Sequence, residues 1–143
     1  MPTETGCAML IDCGANVECR PEMLLQFGQM GSIYMDKVMG VKNPRVGLAN
    51  VGTEEHKGGS LQHETFALLK DSSLHFVGNI EGRDFPAGAC DVLVTDGFTG
   101  NLILKTYEGV AMVLMDKIKD MFTKNLKTKL AAAMVMSDLK LSL

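Results

Sequence analysis

The amino-acid sequence predicts an α/β fold with a mostly parallel sheet and covering helices. Short apolar runs alternate along the chain with longer segments in which apolar residues recur at helical spacing. Each apolar run ends in a turn rich in glycine, asparagine or aspartate. Strands separated by crossover segments favour a parallel sheet with helices packed against it.

The first part of the chain predicts one strand followed by one long helix. Residues 8–13 form an apolar run that stops at a glycine, as a buried parallel strand does before its loop. Proline and glutamate then open a helix over residues 21–40, in which apolar residues recur at helical spacing. Gly28, Gly31 and Ser32 weaken this helix intrinsically, so we expect them where it packs closely against a neighbouring element.

The following segments continue this alternation. The pattern predicts strands over residues 45–51, 75–78 and 89–95, and helices over residues 60–70 and 102–122. Polar loops are expected at residues 52–60, 79–84 and 96–101. We therefore assign residues 1–122 to one α/β core.

Residues 123–143 are predicted to form a helical arm of the same domain. Lysines alternate there with leucine, alanine, methionine and valine, which is typical of a cationic amphipathic helix or helical hairpin. Two functions stay open for this arm, packing against a partner subunit and docking on a membrane surface. The residues predicted to make either contact are Leu126, Leu130, Met134 and Val135.

Composition and charge indicate a soluble globular protein. Hydrophobic residues make up 46% and charged residues 22% of the 143 positions, which is sufficient for a packed core. The formal net charge of −3 gives no general attraction to nucleic acid, so no nucleic-acid partner is expected and any anion must be held locally. The sequence shows no signal-peptide pattern and no apolar run near the roughly 20 residues of a spanning helix, so we expect a cytoplasmic protein.

The sequence motifs give no support for a metal site or a bound cofactor. The four cysteines form no CxxC pair and no histidine stands at ligand spacing, so reduced intracellular thiols are the better interpretation. Neither the dinucleotide-binding nor the phosphate-loop motif is present, and there is no G-x-S-x-G turn. We therefore expect no cofactor and no metal.

The turns at the strand ends are the candidate binding site for an anion. In open α/β sheets the ligand crevice lies at the carboxyl ends of the strands, so all four turns should converge. Glycine lets the backbone approach a ligand, and amides at the start of the next helix can donate to an anion. The predicted phosphate- or substrate-binding residues are Gly14, Asn50, Gly52, Lys57, Asn79, Glu81, Asp96, Gly97, Thr99 and Gly100. The alternative is that they act only as turn formers and helix caps.

Several stretches of the sequence closely resemble one known family. They are IDCGANVECRPEMLLQFGQMGSIYMDKVMGVKNPRVGLANVGTEEHKGG, GNIEGRD and DVLVTDGFTGNLILKTYEG, and the resemblance runs from about Ala8 to the C-terminus. The family is PlsX, the acyl-carrier-protein:phosphate acyltransferases of bacterial phospholipid synthesis. Its members are much longer, and their Asp-Ala-Met-Gly-Gly-Asp motif and Gly-rich C-terminal segment have no counterpart here. We therefore expect a portion of a longer protein, whose activity alone is an open question.

The resemblance implies a specific fold, reaction and set of partners. The fold would be a Rossmann-like three-layer α/β/α sandwich, similar to phosphotransacetylases and isocitrate dehydrogenase-type folds. The reaction would move a fatty acyl group from acyl carrier protein to inorganic phosphate, and the acyl phosphate would feed phospholipid synthesis. Members of the family form homodimers and make peripheral contact with the inner face of the cell membrane.

This reaction agrees with what the strand-end turns can supply. Phosphate is itself a nucleophile and a thiolate is a good leaving group, so the protein needs only to position phosphate and stabilise the developing oxyanion. The residues predicted to act in catalysis are Asn16, Arg83, Asn101 and Lys105, with the backbone amides of residues 97–101 and the side chain of Asn79 completing the cradle. Solvated surface is the alternative for the charged side chains. A phosphotransacetylase-like reaction on short acyl-CoA, or a purely oligomerising or membrane-docking role, also stays open.

Overall fold

The structure, a computed structural model, describes the backbone of residues 1–139 and the side chains of residues 1–135. In chain order its elements are β1 (Pro2–Thr3), β2 (Gly6–Cys7), β3 (Met9–Ile11), α1 (Pro21–Lys37), β4 (Arg45–Asn50), α2 (Ser60–Lys70), β5 (His75–Glu81), β6 (Val92–Val94), α3 (Gly97–Thr123) and α4 (Leu126–Leu139). Two compact units divide the chain, the first over Met1–Leu104 and the second from Lys105 onward.

The first unit is built on a four-stranded parallel sheet. Its strands lie in the order β3-β6-β4-β5, and each neighbouring pair runs parallel. The predicted α/β fold with a mostly parallel sheet is confirmed. An antiparallel hairpin of β1 and β2 precedes the sheet. The sequence analysis missed this hairpin because strands of two residues leave no periodic pattern.

Both faces of the sheet are covered. The buried cluster on the face that packs against α1 and α2 consists of Leu24, Met35, Val46, Leu48, Leu69, Val92 and Val94. The cluster on the other face consists of Ala8, Ala49, Ile80, Phe85, Cys90 and Leu93, with Ile103 of α3 packed against it. The central strands β4 and β6 are buried on both faces, which is why they appear in the sequence as continuous apolar runs. The predicted three-layer arrangement is confirmed.

An ion pair joins the starts of the two central strands. The Arg45 guanidinium lies 2.9 Å from the Asp91 carboxylate, and the Arg45 backbone N–H donates to the same carboxylate at 2.8 Å. The side-chain hydrogen bond from Arg45 is the main cause that lowers the pKa of Asp91, against the opposing effect of burial. The pair stabilises the register between β4 and the segment that leads into β6.

Two elements extend into segments that were expected to be loops. β5 continues to Glu81, because Glu81 pairs with Asn50 and so stays in the strand ladder. α3 begins at Gly97, because the Asp96 carboxylate accepts hydrogen bonds from the backbone N–H and the hydroxyl of Thr99, each at 2.8 Å. The expectation of loops at residues 79–81 and 97–101 is therefore wrong.

The second unit consists of helices. α3 continues to Thr123, and α4 begins after Asn125, whose Oδ1 accepts the Thr128 N–H at 3.0 Å. α4 confirms a helix over most of the predicted arm, and residues 140–143 lie outside the described residues. Among the helices that the structure describes, none combines the length and the apolar character needed to cross a bilayer.

Glycines in α1 lie where this helix packs against its neighbours, as predicted. A Cβ atom added to Gly31 would lie 2.6 Å from Cγ1 of Val92 in β6. A Cβ atom added to Gly28 would lie 3.2 Å from Cδ1 of Leu74. The missing side chains let the α1 backbone approach the sheet and the loop that follows α2.

Replacing Gly31 by alanine is expected to destabilise the protein by about 1–3 kcal/mol, the usual cost of overpacking a core. Val92 is fully buried and has a stiff branched side chain, so it cannot give way cheaply. This cost exceeds the gain in helix propensity of roughly 1 kcal/mol. Urea denaturation followed by circular dichroism measures the difference.

The matched control is Gly109→Ala in α3, where an added Cβ meets no atom within 4 Å. That variant should be slightly more stable than wild type, because only the helix-propensity gain acts. A Gly31→Ala variant as stable as the Gly109→Ala variant would show that α1 does not pack tightly at this point.

Candidate active site

The carboxyl ends of the four parallel strands lie along one edge of the sheet, and their turns contact one another. The Gly97 N–H donates to the Asn16 carbonyl at 2.7 Å, which joins the turns after β6 and β3. The Asn79 carboxamide donates to the Glu54 carbonyl at 2.9 Å, which joins β5 to the loop after β4. The turns thus form two clusters, one around the start of α3 and one around the start of α2.

The turn after β3 is closed around the carboxylate of Asp12. This carboxylate accepts hydrogen bonds from the backbone N–H of Cys13 at 2.5 Å, of Asn16 at 2.6 Å and of Ala15 at 3.3 Å. It also accepts one from the Asn16 side chain at 3.0 Å. Burial by itself raises the pKa of Asp12, but these hydrogen bonds, led by the Asn16 side chain, bring the pKa below its usual value. The Asn16 carboxamide is therefore already engaged in holding its own turn.

The first turn of α3 is also engaged within the protein. Its Gly97 N–H donates to Asn16, and the N–H groups of Thr99 and Gly100 donate to Asp96 at 2.8 and 2.9 Å. The turn after β3 approaches the first turn of α3 so closely that there is no room for a side chain at Gly97 or Gly100. A Cβ atom on Gly97 would lie 2.6 Å from the Asn16 carbonyl oxygen. A Cβ atom on Gly100 would collide with the Asp12 carbonyl. Three of the backbone amides predicted for an anion cradle, those of Gly97, Thr99 and Gly100, are thus already hydrogen-bonded within the protein.

The start of α2 borders an open cavity of about 560 Å³. The residues that line the cavity come from β4, the following loop, the starts of α2 and α3, and the turn after β5. They are Ala49, Asn50, Val51, Gly58, Gly59, Gln62, Gly82, Thr99 and Ile103. The cavity therefore lies at the strand ends, where a ligand crevice is expected in this class of fold.

The start of α2 differs from that of α3 in the residue that precedes the helix: α3 follows the Asp96 carboxylate, whereas α2 follows Gly59. α2 has no acidic residue in its first turn, and its N-cap position is Gly59, which has no side chain to cap the helix amides. The Gly59 N–H donates to Oε1 of Gln62 at 3.0 Å. The first amides of a helix have no partner within the helix, and the helix dipole makes this end attractive to anions. The start of α2 is therefore the better equipped of the two for an anionic ligand.

Three cations were predicted to bind the anion, and the structure distinguishes them. Arg83 lies 3.0 Å from Glu81 and 3.7 Å from Asp84, and its side chain is 78% exposed. Lys105 lies in the second unit, 2.9 Å from Glu108. Lys57 is half-buried, and no carboxylate of the described residues lies within ion-pair distance of its ammonium.

The backbone of Lys57 is fixed beside the cavity. Its N–H donates to the Glu54 carbonyl at 3.1 Å, and its own carbonyl accepts the Asn50 carboxamide at 2.9 Å. The Lys57 stem passes over Gly52, where an added Cβ would meet Cγ of Lys57 at 3.0 Å and Oε2 of Glu54 at 2.8 Å. Lys57 directly precedes Gly58 and Gly59, which line the cavity. Its ammonium has no ion-pair partner among the described side chains.

A smaller cavity of about 340 Å³ lies along β3 and has a different chemistry. Methionines contribute much of its surface, and no lysine, arginine or histidine side chain lines it. The Met1 ammonium among its lining residues already donates to the Ala8 carbonyl at 2.7 Å, so the cavity at the start of α2, beside Lys57, is the better candidate for the predicted anion. No group of three or more His, Cys, Asp or Glu side chains within the described part of the chain is arranged to hold a metal.

Comparison with known proteins assigns the chain to a family. Residues 1–142 match the family described as "Fatty acid synthesis protein". The chain belongs to this family. Similar curated proteins include the phosphate acyltransferases of Clostridium novyi, 50% identical over 135 residues, and of Halothermothrix orenii, 51% identical over 141 residues. The resemblance to the PlsX family is confirmed.

The matches cover nearly all of this chain but a minor part of its relatives in the family. The two alignments span 94% and 97% of the chain, and 41% and 42% of the Clostridium and Halothermothrix proteins. The chain therefore spans less than half the length of the curated family members it matches.

The structure separates the predicted site residues into groups. The cluster at the start of α3 contains Gly14, Asn16, Asp96, Gly97, Gly100 and Asn101, with Gly14 packed against the Asn101 side chain. The cavity and the loop beside it contain Asn50, Gly52, Lys57 and Thr99, and Asn79 contacts the same loop. Glu81 pairs with Arg83, and Lys105 pairs with Glu108.

Of the nine described residues that line the cavity, the sequence predicted Asn50 and Thr99; the seven not predicted are Ala49, Val51, Gly58, Gly59, Gln62, Gly82 and Ile103. A usable signal was present, because two glycines directly before a serine that opens a helix leave the helix start uncovered. The glycines and charged residues of this segment instead favoured the prediction of a polar loop over residues 52–60.

Replacing Asp12 by asparagine is expected to destabilise the protein by about 1–2 kcal/mol at neutral pH, because the turn loses charge-assisted hydrogen bonds. The pKa of Asp12 is lowered on folding, so its contribution is present above the unfolded-state pKa of about 3.9 and is lost as pH falls through the folded-state pKa. The stability difference between the two proteins should therefore shrink as the pH falls below the unfolded-state pKa and vanish below the folded-state pKa of Asp12. Urea denaturation at a series of pH values measures this convergence.

The control is Asp116→Asn, an exposed position on α3, which should unfold like wild type at every pH. A constant stability difference between Asp12→Asn and wild type across the acid range would contradict the role given to the carboxylate.

Proposed function

We propose that this chain contributes the phosphate-binding part of an acyltransferase that moves a fatty acyl group from acyl carrier protein to inorganic phosphate. Two findings support the reaction class: the family description concerns fatty acid synthesis, and the relatives are named phosphate acyltransferases. The acyl phosphate produced would serve phospholipid synthesis, as the resemblance to PlsX implies.

The observation that carries the proposal is the pairing of Lys57 with the open start of α2. Lys57 is a half-buried cation without an ion-pair partner among the side chains of residues 1–135, and the helix beside it begins without an acidic residue. Both features attract an anion, and both border one cavity at the strand ends. The proposed phosphate position is therefore the cavity edge formed by Gly58 and Gly59, within reach of the flexible Lys57 stem.

The proposed chemical step needs no covalent enzyme intermediate. An oxygen of the phosphate dianion attacks the thioester carbonyl carbon, a C–O bond forms, and the carbonyl oxygen gains negative charge. Collapse of this intermediate breaks the C–S bond and releases the carrier thiolate, which takes a proton from solvent. The protein lowers the barrier by holding phosphate against the carbonyl and by donating hydrogen bonds to the oxyanion. Asn50 and Thr99 also line the cavity, but the Asn50 carboxamide holds the Lys57 carbonyl and the Thr99 hydroxyl donates to Asp96, so we propose that both shape the site and that the donors come from Lys57 and the start of α2.

The proposal gives smaller roles to the residues first assigned to catalysis. Asn16 is held by Asp12, and Arg83 and Lys105 are paired with carboxylates. Asn101 packs against Gly14 within the cluster at the start of α3. We propose that Asn16 and Asn101 shape the floor of the crevice, while Lys57 and the start of α2 bind the anion.

Lys57→Gln is expected to weaken the binding of inorganic phosphate at least tenfold, because a charge-assisted hydrogen bond contributes about 1.5–3 kcal/mol. Isothermal titration calorimetry with phosphate measures this affinity. Lys42→Gln is the matched control, since Lys42 is exposed and already paired with Asp36 at 3.0 Å. Equal phosphate affinity in Lys57→Gln and wild type would refute the proposed anion site.

The acyl donor is tested by the rate of acyl phosphate formation. Long-chain acyl carrier protein should react faster than acetyl-CoA, and Lys57→Gln should slow the reaction with either donor. A preference for acetyl-CoA would instead favour a phosphotransacetylase-like enzyme. No acyl phosphate from either donor, in a protein that binds phosphate, would confine the chain to a binding role.

We further propose that the helical arm joins two copies of the chain in a cytoplasmic homodimer that contacts the inner face of the cell membrane. The four residues predicted for this contact are all exposed: Leu126, Leu130, Met134 and Val135. Apolar residues are exposed on α3 as well, including Val110, Val113, Leu114 and Met121. So much exposed apolar surface is typical of an interface between proteins or with a membrane.

A Leu130→Glu, Val135→Glu double variant is expected to shift the chain from dimer to monomer, because charges in an apolar interface are costly to bury. Light scattering after size-exclusion chromatography measures the mass, and co-sedimentation with anionic liposomes measures membrane binding. Val38→Glu, at an exposed apolar position at the C-cap of α1, is the control. A variant that stays dimeric but leaves the liposomes would assign the arm to the membrane alone.

A further inference from the structure

The loop between β4 and α2 is held by the Lys70–Glu55 ion pair at 3.2 Å, by the His63 ring against the His56 carbonyl at 2.9 Å, and by three side-chain carboxamides. The Asn79 carboxamide donates to the Glu54 carbonyl at 2.9 Å, and the Asn50 carboxamide donates to the Lys57 carbonyl at 2.9 Å. Near its end, the loop donates the Gly59 N–H to Gln62 at 3.0 Å. The backbone that presents Lys57 is therefore fixed by contacts from β4, β5 and α2.

One carbonyl links Asn79 directly to Lys57. The Glu54 carbonyl accepts both the Asn79 carboxamide at 2.9 Å and the Lys57 backbone N–H at 3.1 Å. Asn79 thus anchors the acceptor to which Lys57 is bound, while Asn50 holds the other side of the Lys57 peptide. Loss of the Asn79 contact would remove one restraint on the Glu54 carbonyl and so loosen the Lys57 backbone N–H, while the His56 carbonyl of the same peptide would keep its contact with the His63 ring.

The environment of Asn79 argues against a purely structural role. Asn79 is only 4% exposed, and its Oδ1 is buried without a hydrogen-bond partner among the described residues. A buried acceptor left unsatisfied lowers stability, so an apolar side chain of similar size would serve folding as well or better. The carboxamide is explained instead by the single hydrogen bond that it donates to the loop.

We infer that Asn79 is a positioning residue, which holds Lys57 at the anion site through the Glu54 carbonyl. This inference rests on the proposed function, because the site that Asn79 supports is the one proposed to bind phosphate. Asn79 does not touch the ligand, since it is buried and its amide nitrogen is engaged with Glu54. Asn79 acts by keeping the loop ordered, and the loop determines the position of the Lys57 ammonium.

Asn79→Leu tests the inference, because it removes the donor and also the unsatisfied oxygen. We expect an unchanged or raised melting temperature, together with phosphate affinity reduced about three- to tenfold, as for the loss of one hydrogen bond. Backbone amides of residues 51–59 should exchange with deuterium faster than in wild type. A merely structural residue would not separate stability from affinity in this way.

Thr65→Val is the matched control. Thr65 is fully buried on α2, and its hydroxyl also lacks a partner among the residues described, so valine removes a comparable buried polar atom. Because Thr65 has no bond to the loop, this variant should keep wild-type phosphate affinity and wild-type exchange over residues 51–59.

The outcomes separate the inference from the function on which it rests. If Lys57→Gln loses phosphate affinity and Asn79→Leu keeps both affinity and slow exchange, the positioning role is wrong and the anion site stands. If wild type binds no phosphate, the proposed function fails, and hydrogen exchange alone decides whether Asn79 orders the loop. Faster exchange in Asn79→Leu but not in Thr65→Val supports the positioning role in either case.

Discussion

The backbone contact between the turn after β3 and the first turn of α3 is the constraint on which the site depends. β3 and β6 are neighbours in the sheet, so the chains leaving them must pass each other at backbone distance. Gly97 and Gly100 make this passage feasible, and the Gly97 N–H donates to the Asn16 carbonyl at 2.7 Å. Any side chain at Gly100 would collide with the Asp12 carbonyl. The glycine-rich sequence after β6 is thus explained by packing before any ligand is considered.

Because of this contact, backbone amides at the start of α3 are already hydrogen-bonded, and the start of α2 is the remaining candidate for the proposed anion. The amides at the start of α3 are turned toward Asn16 and Asp96, and the Asp96 carboxylate already complements that end of the helix. α2 begins at a pair of glycines with no acidic residue in its first turn, so its positive end faces the cavity uncompensated. Two helices start at the same edge of the sheet, yet their surroundings give them different functions. Lys57 adds to the charge at α2, whereas Arg83 and Lys105 are paired elsewhere.

The fold could be predicted from the sequence because burial imposes its own pattern. β4 and β6 appear as continuous apolar runs, and Gly28 and Gly31 mark the packed side of α1. Strand and helix ends were harder, since β5 reaches Glu81 only through its pairing with Asn50. The site was hardest, because hydrogen bonds between distant turns determine which amides are free. Nothing near Gly97 in the sequence shows that its N–H is bound to Asn16.

The loop that contains Lys57 lies beside the cavity but is attached to the rest of the fold by few hydrogen bonds. It is tied to the core mostly by single hydrogen bonds from side chains, whereas the neighbouring strands are joined by whole ladders. Each such bond contributes only about 0.5–1.5 kcal/mol, so the loop can open locally while the sheet stays intact. The proposed function, in which the site admits phosphate and an acyl thioester in turn, would need such a movable element at the edge of the site. This requirement gives the buried carboxamide of Asn79 a physical reason. Its single hydrogen bond orders the loop enough to position the Lys57 ammonium, and the loop still does not become a strand of the sheet.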